Sequence, residues 1–346
     1  MATKRILIIR PSAIGDIVMA SPMIRVLRNS WPQAAIAWLA DPSVRCLLDH
    51  HPALDEVICW SKGHWRQLAR KGRLVRLGGE IRSYSRELRL RQFDLALDAQ
   101  GLLRSRLLAW MSGASTRIGF ASKEPGRRLM TRIVSRGPNS KEMSSEYRHL
   151  MLTLGLEPGP FAPEIVLSPA DSAAARKIRA GQGLTNDYAV ICPFTTRPQK
   201  HWIEARWAAT AAGLATRFKL AVALLGGPQD AAAARRIAGL AGVGITDLTG
   251  KTTLGQAAAL VEQAALVIGV DTGLTHLGTA FKRPTIALFG ATCPYLSTVN
   301  RGTIVVYNRL TCSPCKRKPT CHGRYDCMQA IGTADVLRAA RGLLES

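Results

Sequence analysis

Acidic residues are scarce in this sequence: 24 Asp and Glu stand against 47 Lys and Arg, a formal charge of +23 over 346 residues. That imbalance points to polyanionic partners such as nucleic acid, anionic lipid headgroups or a phosphorylated glycan. Aromatic residues are only 6% of the chain, which removes the interleaved stacking platforms that readers of single-stranded nucleic acid use. No apolar run approaches the ~18 residues of a membrane-spanning helix. The opening "MATKRILIIRPS" has too short an apolar stretch, and no cleavage-site pattern behind it, so it reads as a strand rather than a leader. Eight cysteines over this length do not make a secreted disulfide framework, and a reducing cytoplasm suits them better. Also missing is the glycine-rich dinucleotide fingerprint. "IIRPSAIGDIVMASP", residues 8–22, has one glycine at a strand-to-helix seam and an acid, Asp16, directly after it.

What is present is a chain with 47% hydrophobic residues and a mean hydropathy of +0.03, enough to bury substantial cores. Its length predicts two domains. "RILIIR", "AAIAWLA", "DEVICW" and "FDLALDAQG" read as strands of the first, separated by amphipathic helical stretches. Among these, residues 64–92 form a long basic helical region with a break expected at Gly78-Gly79. A Pro- and Gly-rich connection, "LGLEPGPFAPEIVLSP", precedes a second alternation containing "YAVICPF", "FKLAVALLGG", "ALVIGVDTG" and "RPTIALFG". Strand–helix alternation of this kind predicts an α/β fold with mostly parallel sheets covered on both faces. The expected divisions are residues 1–168, residues 169–332, and a final helix within 333–346 that crosses back onto the first domain. Ligands of open α/β sheets bind at strand carboxyl ends, so a central cleft between the halves is the expected site. The basic excess is local: residues 62–136 hold 18 Lys/Arg against 5 Asp/Glu.

Three stretches of the second half carry residues suited to a diphosphate. "VIGVDTGLTHLGTAF", residues 267–281, brings Asp271, Thr272, Gly273 and Leu274 to a helix start, with His276 in its first turn or so. Free N–H groups and the positive dipole end make such a start an anion site, and a glycine lets the phosphate approach. Ordinary capping by Asp and a packed His are the competing explanation. "CPFTTRPQKHW", residues 192–202, adds Thr195, Thr196, Arg197, Lys200 and His201 after a buried-looking strand. Hydroxyls together with a lysine point charge suit a diphosphate, while a solvated loop is the bland alternative. In "LLGGPQD", residues 224–230, Asp230 has the acceptor oxygens a ribose needs, or caps the helix that follows.

Taken together these stretches resemble glycosyltransferase family 9, the bacterial heptosyltransferases of lipopolysaccharide core assembly. "RILIIRPSAIGDIVMASPMIRVLR", "FDLALDAQGLLRS", "TTRPQKHW" and "VDTGLTHLGTAFKRPTIALFG" carry the likeness, which covers most of the chain and leans towards heptosyltransferase I. The resemblance implies the GT-B fold, two Rossmann-like domains facing across a central cleft. It also implies an ADP-L-glycero-D-manno-heptose donor, no cofactor, and inversion at the anomeric carbon without a catalytic metal. By position, Thr195, Thr196 and Lys200 would hold the diphosphate, completed by Asp271, Thr272, Gly273, Leu274 and His276. Asp230 would take the ribose, where relatives usually carry Glu, and Thr252 would line the adenine pocket. Asp16 would be the general base, abstracting a proton from the acceptor hydroxyl. The competing explanation is a helix-start acid favoured by the dipole.

The acceptor implied is an anionic, lipid-linked Kdo or heptose sugar, met at the inner face of the cytoplasmic membrane. "SKGHWRQLARK" and "FASKEPGRRL" would supply its cations, with Lys123 where relatives often present Arg. A tail "TCSPCKRKPTCHGRYDCM" places Cys312, Cys315, Cys321 and Cys327 close in sequence, beginning with the C-x-x-C spacing of structural metal sites. The remaining spacings match no standard ribbon, so an unmetallated loop is favoured. Two other readings stand beside heptose transfer: a GT-B enzyme using another sugar nucleotide, and a basic nucleic-acid-binding protein.

Overall fold

The computed structural model describes residues 3–138, 140–292, 295–315 and 319–345. The chain divides into two compact units, Met1–Ser140 with Ser144–Val166, and Lys141–Met143 with Leu167–Ser346. In the first, the elements in order are β1 (Arg5–Ile9), α1 (Ile14–Ala20), α2 (Pro22–Ser30), β2 (Ala35–Ala40) and β3 (Glu56–Cys59). There follow α3 (Lys62–Arg70), α4 (Leu74–Leu90), β4 (Leu95–Asp98), α5 (Leu103–Met111), β5 (Thr116–Phe120), β6 (Arg132–Val134) and α6 (Ser145–Thr153). The strands form one sheet in the order β3-β2-β1-β4-β5-β6, every neighbouring pair parallel.

The second unit contains α7 (Pro169–Gly181), β7 (Tyr188–Cys192), α8 (Glu204–Arg217), β8 (Ala221–Leu224), α9 (Ala231–Ala241) and β9 (Ile245–Asp247). It continues with α10 (Leu254–Glu262), β10 (Leu266–Val270), α11 (Gly273–Ala280), β11 (Thr285–Phe289), β12 (Thr303–Tyr307), α12 (Asp326–Gln329) and α13 (Thr333–Leu344). Its sheet runs β12-β11-β10-β7-β8-β9, again parallel throughout. Each sheet therefore starts in the middle, adds two strands to one side and then three to the other. This is the doubly wound order whose reversal opens a crevice between the first and fourth strands.

The central strands "RILII", "YAVIC" and "LVIGV" read as continuous apolar runs because both of their faces are covered. Four strands absent from the sequence expectation, β5, β6, β9 and β12, lie in the outer parts of the sheets, and the three-residue β6 and β9 are too short for a periodic signal. The long basic helical region breaks at a different place from the one expected. It ends at Lys71–Arg73, where Gly72 adopts φ +67° and Arg73 N–H returns to the Leu68 carbonyl at 3.0 Å. That left-handed glycine closes α3, whereas α4 runs straight through Gly78-Gly79. Glycine inside a helix costs only about 1 kcal/mol.

In the second unit, α13 buries Val336, Leu337 and Ala340 in the core beside Trp207, Ala211 and Leu214 of α8. Gly213 makes the close approach: a Cβ there would stand 2.6 Å from Leu337 Cδ1. Gly213→Val is therefore expected to destabilise the second unit by about 1–3 kcal/mol through overpacking, read from its denaturant midpoint. In the double variant with Leu337→Ala the loss should be smaller than the sum of the two single losses. Strict additivity would show that this helix contact is not the strained one.

Candidate functional site

Each sheet places its chemistry-bearing loops at its own crevice. In the first unit the chain leaves β1 at Ile9, which is in register with Leu39 and Asp98. Arg10 follows and is 6% exposed; its Nη1 donates to the Ala99 carbonyl at 3.1 Å and its Nη2 lies 2.5 Å from Asp16 Oδ2. Burial opposes the guanidinium charge, but Tyr147, Asp16 and Glu146 hold its pKa above the ordinary value. Asp16 sits in the first turn of α1, and the same Oδ2 accepts the Ala13 N–H at 3.2 Å. Its Oδ1 has no hydrogen-bond partner among the described residues, and the side chain is 36% exposed. One carboxylate oxygen is thus anchored and the other is open.

The facing loop comes from β4. Asp98 is fully buried, and its Oδ1 accepts the N–H groups of Gln100 and Gly101 at 2.9 Å each, folding the chain back tightly. Gly101 has φ +74°, and a Cβ there would come within 3.0 Å of the Phe120 carbonyl. Gln100 Nε2 donates to the Ser12 carbonyl at 3.3 Å, tying this loop to the one that carries Asp16. Residues 121–125 are held from below by buried Arg106, which donates to the carbonyls of Phe120, Glu124 and Pro125.

In the second unit the corresponding loops follow β7 and β10. Lys200 Nζ reaches across to Asp271, 2.6 Å from its Oδ2 and 3.2 Å from its backbone carbonyl. His276 Nε2 donates to Asp271 Oδ1 at 3.1 Å, and its Nδ1 lies 2.9 Å from the Tyr295 hydroxyl. The Thr292 hydroxyl also donates to Asp271 Oδ2. Burial by itself would raise the Asp271 pKa; His276 and Lys200 more than reverse this and hold the carboxyl below the usual carboxylate range. Thr272 is the N-cap of α11, but among the described residues no side chain caps this helix, whose first ladder bond is His276 N–H to the Thr272 carbonyl. The N–H groups of Gly273 and Leu274 thus remain open to an anion beside the Lys200 ammonium.

Two further loops adjoin. Gly226 lies against Phe194, where a Cβ would stand 2.4 Å from the ring, so the loop after β8 rests on the strand end that leads to Thr195 and largely buried Lys200. Asp230 Oδ2 accepts the Gly227 N–H at 2.9 Å, leaving Oδ1 free among the described residues. Gly250, with φ +70°, packs its backbone on Pro228 and donates its N–H to the Gly226 carbonyl, which brings the Thr252 loop beside Asp230.

The sequence model of Glycosyltransferase family 9 (heptosyltransferase) matches residues 81–326, about 71% of the chain and parts of both sheets. The chain belongs to glycosyltransferase family 9. It is 28% identical over 298 residues to lipopolysaccharide heptosyltransferase 1 of Salmonella typhimurium, covering 84% of this chain and 90% of that protein. The glycosyl transferase family 9 structure from Veillonella parvula superposes with a TM-score of 0.82 at 22% identity, over 99% of this chain and 98% of the other. E. coli heptosyltransferase WaaC, solved with ADP-2-deoxy-2-fluoro heptose, gives 0.73 at 22% identity, over 98% of this chain and 99% of the other. The two doubly wound sheets are those of the GT-B fold.

Within this glycosyltransferase the structure joins Lys200, Asp271 and His276 in one bonded network, with Thr272, Gly273 and Leu274 at its edge. It sets Thr195, Asp230 and Thr252 on adjoining loops and leaves Thr196 exposed with no bond among the described residues. His276 is 2% exposed and has both ring nitrogens engaged, so it supports Asp271 from beneath. Sequence reasoning did not single out Arg10, Gln100, Thr292 or Tyr295. Arg10 stands inside the quoted "IIRPSAIGD", where a cation ending an apolar strand was a usable signal; the other three had none. Cys312, Cys315, Cys321 and Cys327 are free thiols, and Cys321 Sγ accepts the Tyr325 N–H at 3.3 Å. Among the described residues no three His, Cys, Asp or Glu side chains are arranged to hold a metal ion. Lys316, Arg317 and Lys318 of the same tail lie outside the described residues.

The Asp271 network has a pH signature. A carboxyl whose pKa is depressed on folding contributes stability that is fully present above its unfolded value of about 4 and is lost as the pH falls further. The melting temperature of the second unit should drop steeply below about pH 4. Asp271→Asn should flatten that acid limb while costing about 3–5 kcal/mol at neutral pH, because it strands a buried ammonium. An unchanged acid limb in the variant would show that other carboxyls govern it.

Proposed function

We propose that this chain transfers heptose from ADP-L-glycero-D-manno-heptose to a Kdo or heptose residue of the lipopolysaccharide inner core, with inversion at the anomeric carbon. The observation that carries this reading is the uncapped start of α11 beside the Lys200–Asp271–His276 network, at the crevice of the second sheet. A diphosphate placed there meets the free amides of Gly273 and Leu274, the Lys200 ammonium and the hydroxyls of Thr195 and Thr272. Asp271 fixes Lys200 in position and offsets its charge while the site is empty. Asp230 accepts from the ribose hydroxyls through its unengaged Oδ1, and the Thr252 loop lines the adenine. The relatives that support the donor assignment are lipopolysaccharide heptosyltransferases.

In the first unit Asp16 is the general base. Arg10 and the Ala13 N–H hold Oδ2, leaving Oδ1 to accept the proton of the acceptor hydroxyl. As that proton leaves, the acceptor oxygen attacks the anomeric carbon from the face opposite the diphosphate. The new C–O bond forms as the bond to the β-phosphate breaks, and the electron pair departs on ADP. Charge growing on the leaving phosphate is stabilised by donors already in place, which need no reorganisation. Arg10 is a positioning residue, buried beneath the carboxylate. The basic surface of residues 62–136 attracts an anionic lipid-linked acceptor and places the enzyme at the inner face of the cytoplasmic membrane. Among the described residues no helix is long and apolar enough to cross a membrane.

Three measurements test this. With purified enzyme, ADP-heptose and a panel of truncated core acceptors, mass spectrometry should find one added heptose per product. ADP should inhibit better than UDP or GDP, and an equal ranking would remove the donor assignment. Asp16→Asn should lower kcat by about 10²–10⁴ while leaving ADP affinity unchanged, whereas Lys200→Ala should weaken ADP binding. Full turnover in the Asp16 variant would show that the base lies elsewhere.

A further inference from the structure

One part of the first unit is unused by the chemistry above. Between α4 and α5 lies a cavity of about 930 Å³. Trp60 and Trp65, Ile81 and Ser85 of α4, and Leu108 and Met111 of α5 are among its lining residues. The inner wall is an aromatic stack: Trp60 and Trp65 meet edge-on at 5.9 Å, and Trp65 meets Tyr84 at 5.6 Å. Trp60 is 6% exposed, and its indole N–H finds no acceptor among the described residues. The mouth is apolar as well. Leu107, Trp110 and Leu90 are 40%, 48% and 72% exposed, although each belongs to a residue type that normally seeks cover.

Arg82, Arg86, Arg89 and Arg104 also line the cavity, and among the described residues no carboxylate does. Arg82, Arg86 and Arg104 make no hydrogen bond or ion pair with any described residue, while Arg89 lies over the Trp110 ring at 5.9 Å. The acids of α4 are taken elsewhere: Glu80 by His64 and Arg76, and Glu87 by Arg91. An apolar interior with three uncompensated guanidinium groups at its lip has the chemistry of an amphiphile site, with tail inside and phosphate outside. Tryptophan and leucine beside arginine are also the residues that seat a protein in a headgroup layer. A second copy of the chain fits poorly, because a two-fold contact would set the same unpaired arginines against each other. Nucleic acid would leave the apolar interior unfilled.

We propose that the α4–α5 face is where this chain docks on an anionic phospholipid bilayer, one acyl chain entering the cavity while Arg82, Arg86 and Arg104 hold the lipid phosphate. The inference rests on the reading that the enzyme works at a membrane surface. It gives that reading an address distinct from the sugar-transfer residues.

The test uses the intact protein and phosphatidylcholine vesicles with or without phosphatidylglycerol. Flotation should recover it with the phosphatidylglycerol vesicles alone, and salt should weaken the binding. The Arg82→Glu, Arg86→Glu double variant should bind about tenfold more weakly or worse. Phosphatidylglycerol brominated along its acyl chains should quench tryptophan fluorescence. Gly78→Leu should abolish most of that quenching, because Gly78 lines the cavity and an added Cβ there meets no atom within 4 Å. Unchanged melting temperature and ADP affinity certify that the variants fold. Three results overturn the inference while sparing the membrane reading. They are vesicle binding retained by every variant, salt-sensitive binding without acyl-chain quenching, and a concentration-dependent dimer that Trp110→Ala dissolves. No vesicle binding at all overturns both, and heptose transfer, measured separately on soluble acceptors, is untouched by either result.

Discussion

Parallel strands cannot be joined by a tight turn, so each strand of these two sheets must hand the chain to a crossover that returns it to the same end. The placement of both candidate sites follows from that constraint. All carboxyl ends in a sheet lie on one edge, and the sheet grows first to one side of its opening strand and then to the other. At the point of reversal two neighbouring loops part in opposite directions. The loops after β1 and β4 and those after β7 and β10 occupy these two points, and they contain the candidate base and the candidate anion site.

The two crevices are built to different electrical designs. In the second unit an acid, a lysine and a histidine are buried together beside an uncapped helix start. The carboxylate keeps the lysine from being a stranded charge, and the lysine keeps the carboxylate ionised, so the site is stable when empty and still presents donors. In the first unit the cation lies beneath the acid: Arg10 is buried, Asp16 is partly exposed, and one of the two carboxylate oxygens stays open. A donor-rich pocket suits a departing diphosphate, whereas a fixed carboxylate with one open oxygen suits a proton taken from an incoming alcohol.

The legible parts of the sequence were those governed by local rules. Buried strands such as "YAVIC" announce themselves as apolar runs, and "VDTGLTHLGTAF" announces a strand-to-helix seam. Outer strands such as β6 and β9 did not, because three residues are too few for a period to appear. The break in the basic helices was misplaced for a related reason. Two adjacent glycines look like a stop, but the chain terminates where a single glycine can take a left-handed turn and return its hydrogen bonds, at Gly72.

The sequence by itself determined the fold class, the two-part organisation and the identity of the residues that bear charge and hydroxyl groups, because periodicity and residue chemistry are local properties. Tertiary structure alone decided their partners. Arg10 finds Asp16, Gln100 finds the Ser12 carbonyl 88 positions away, and Lys200 finds Asp271 across 71 positions of chain. The final helix likewise settles on α8, where Gly213 leaves room for Leu337. Such pairings depend on which strand ends a crossover brings side by side, and that is fixed only when the sheet has assembled.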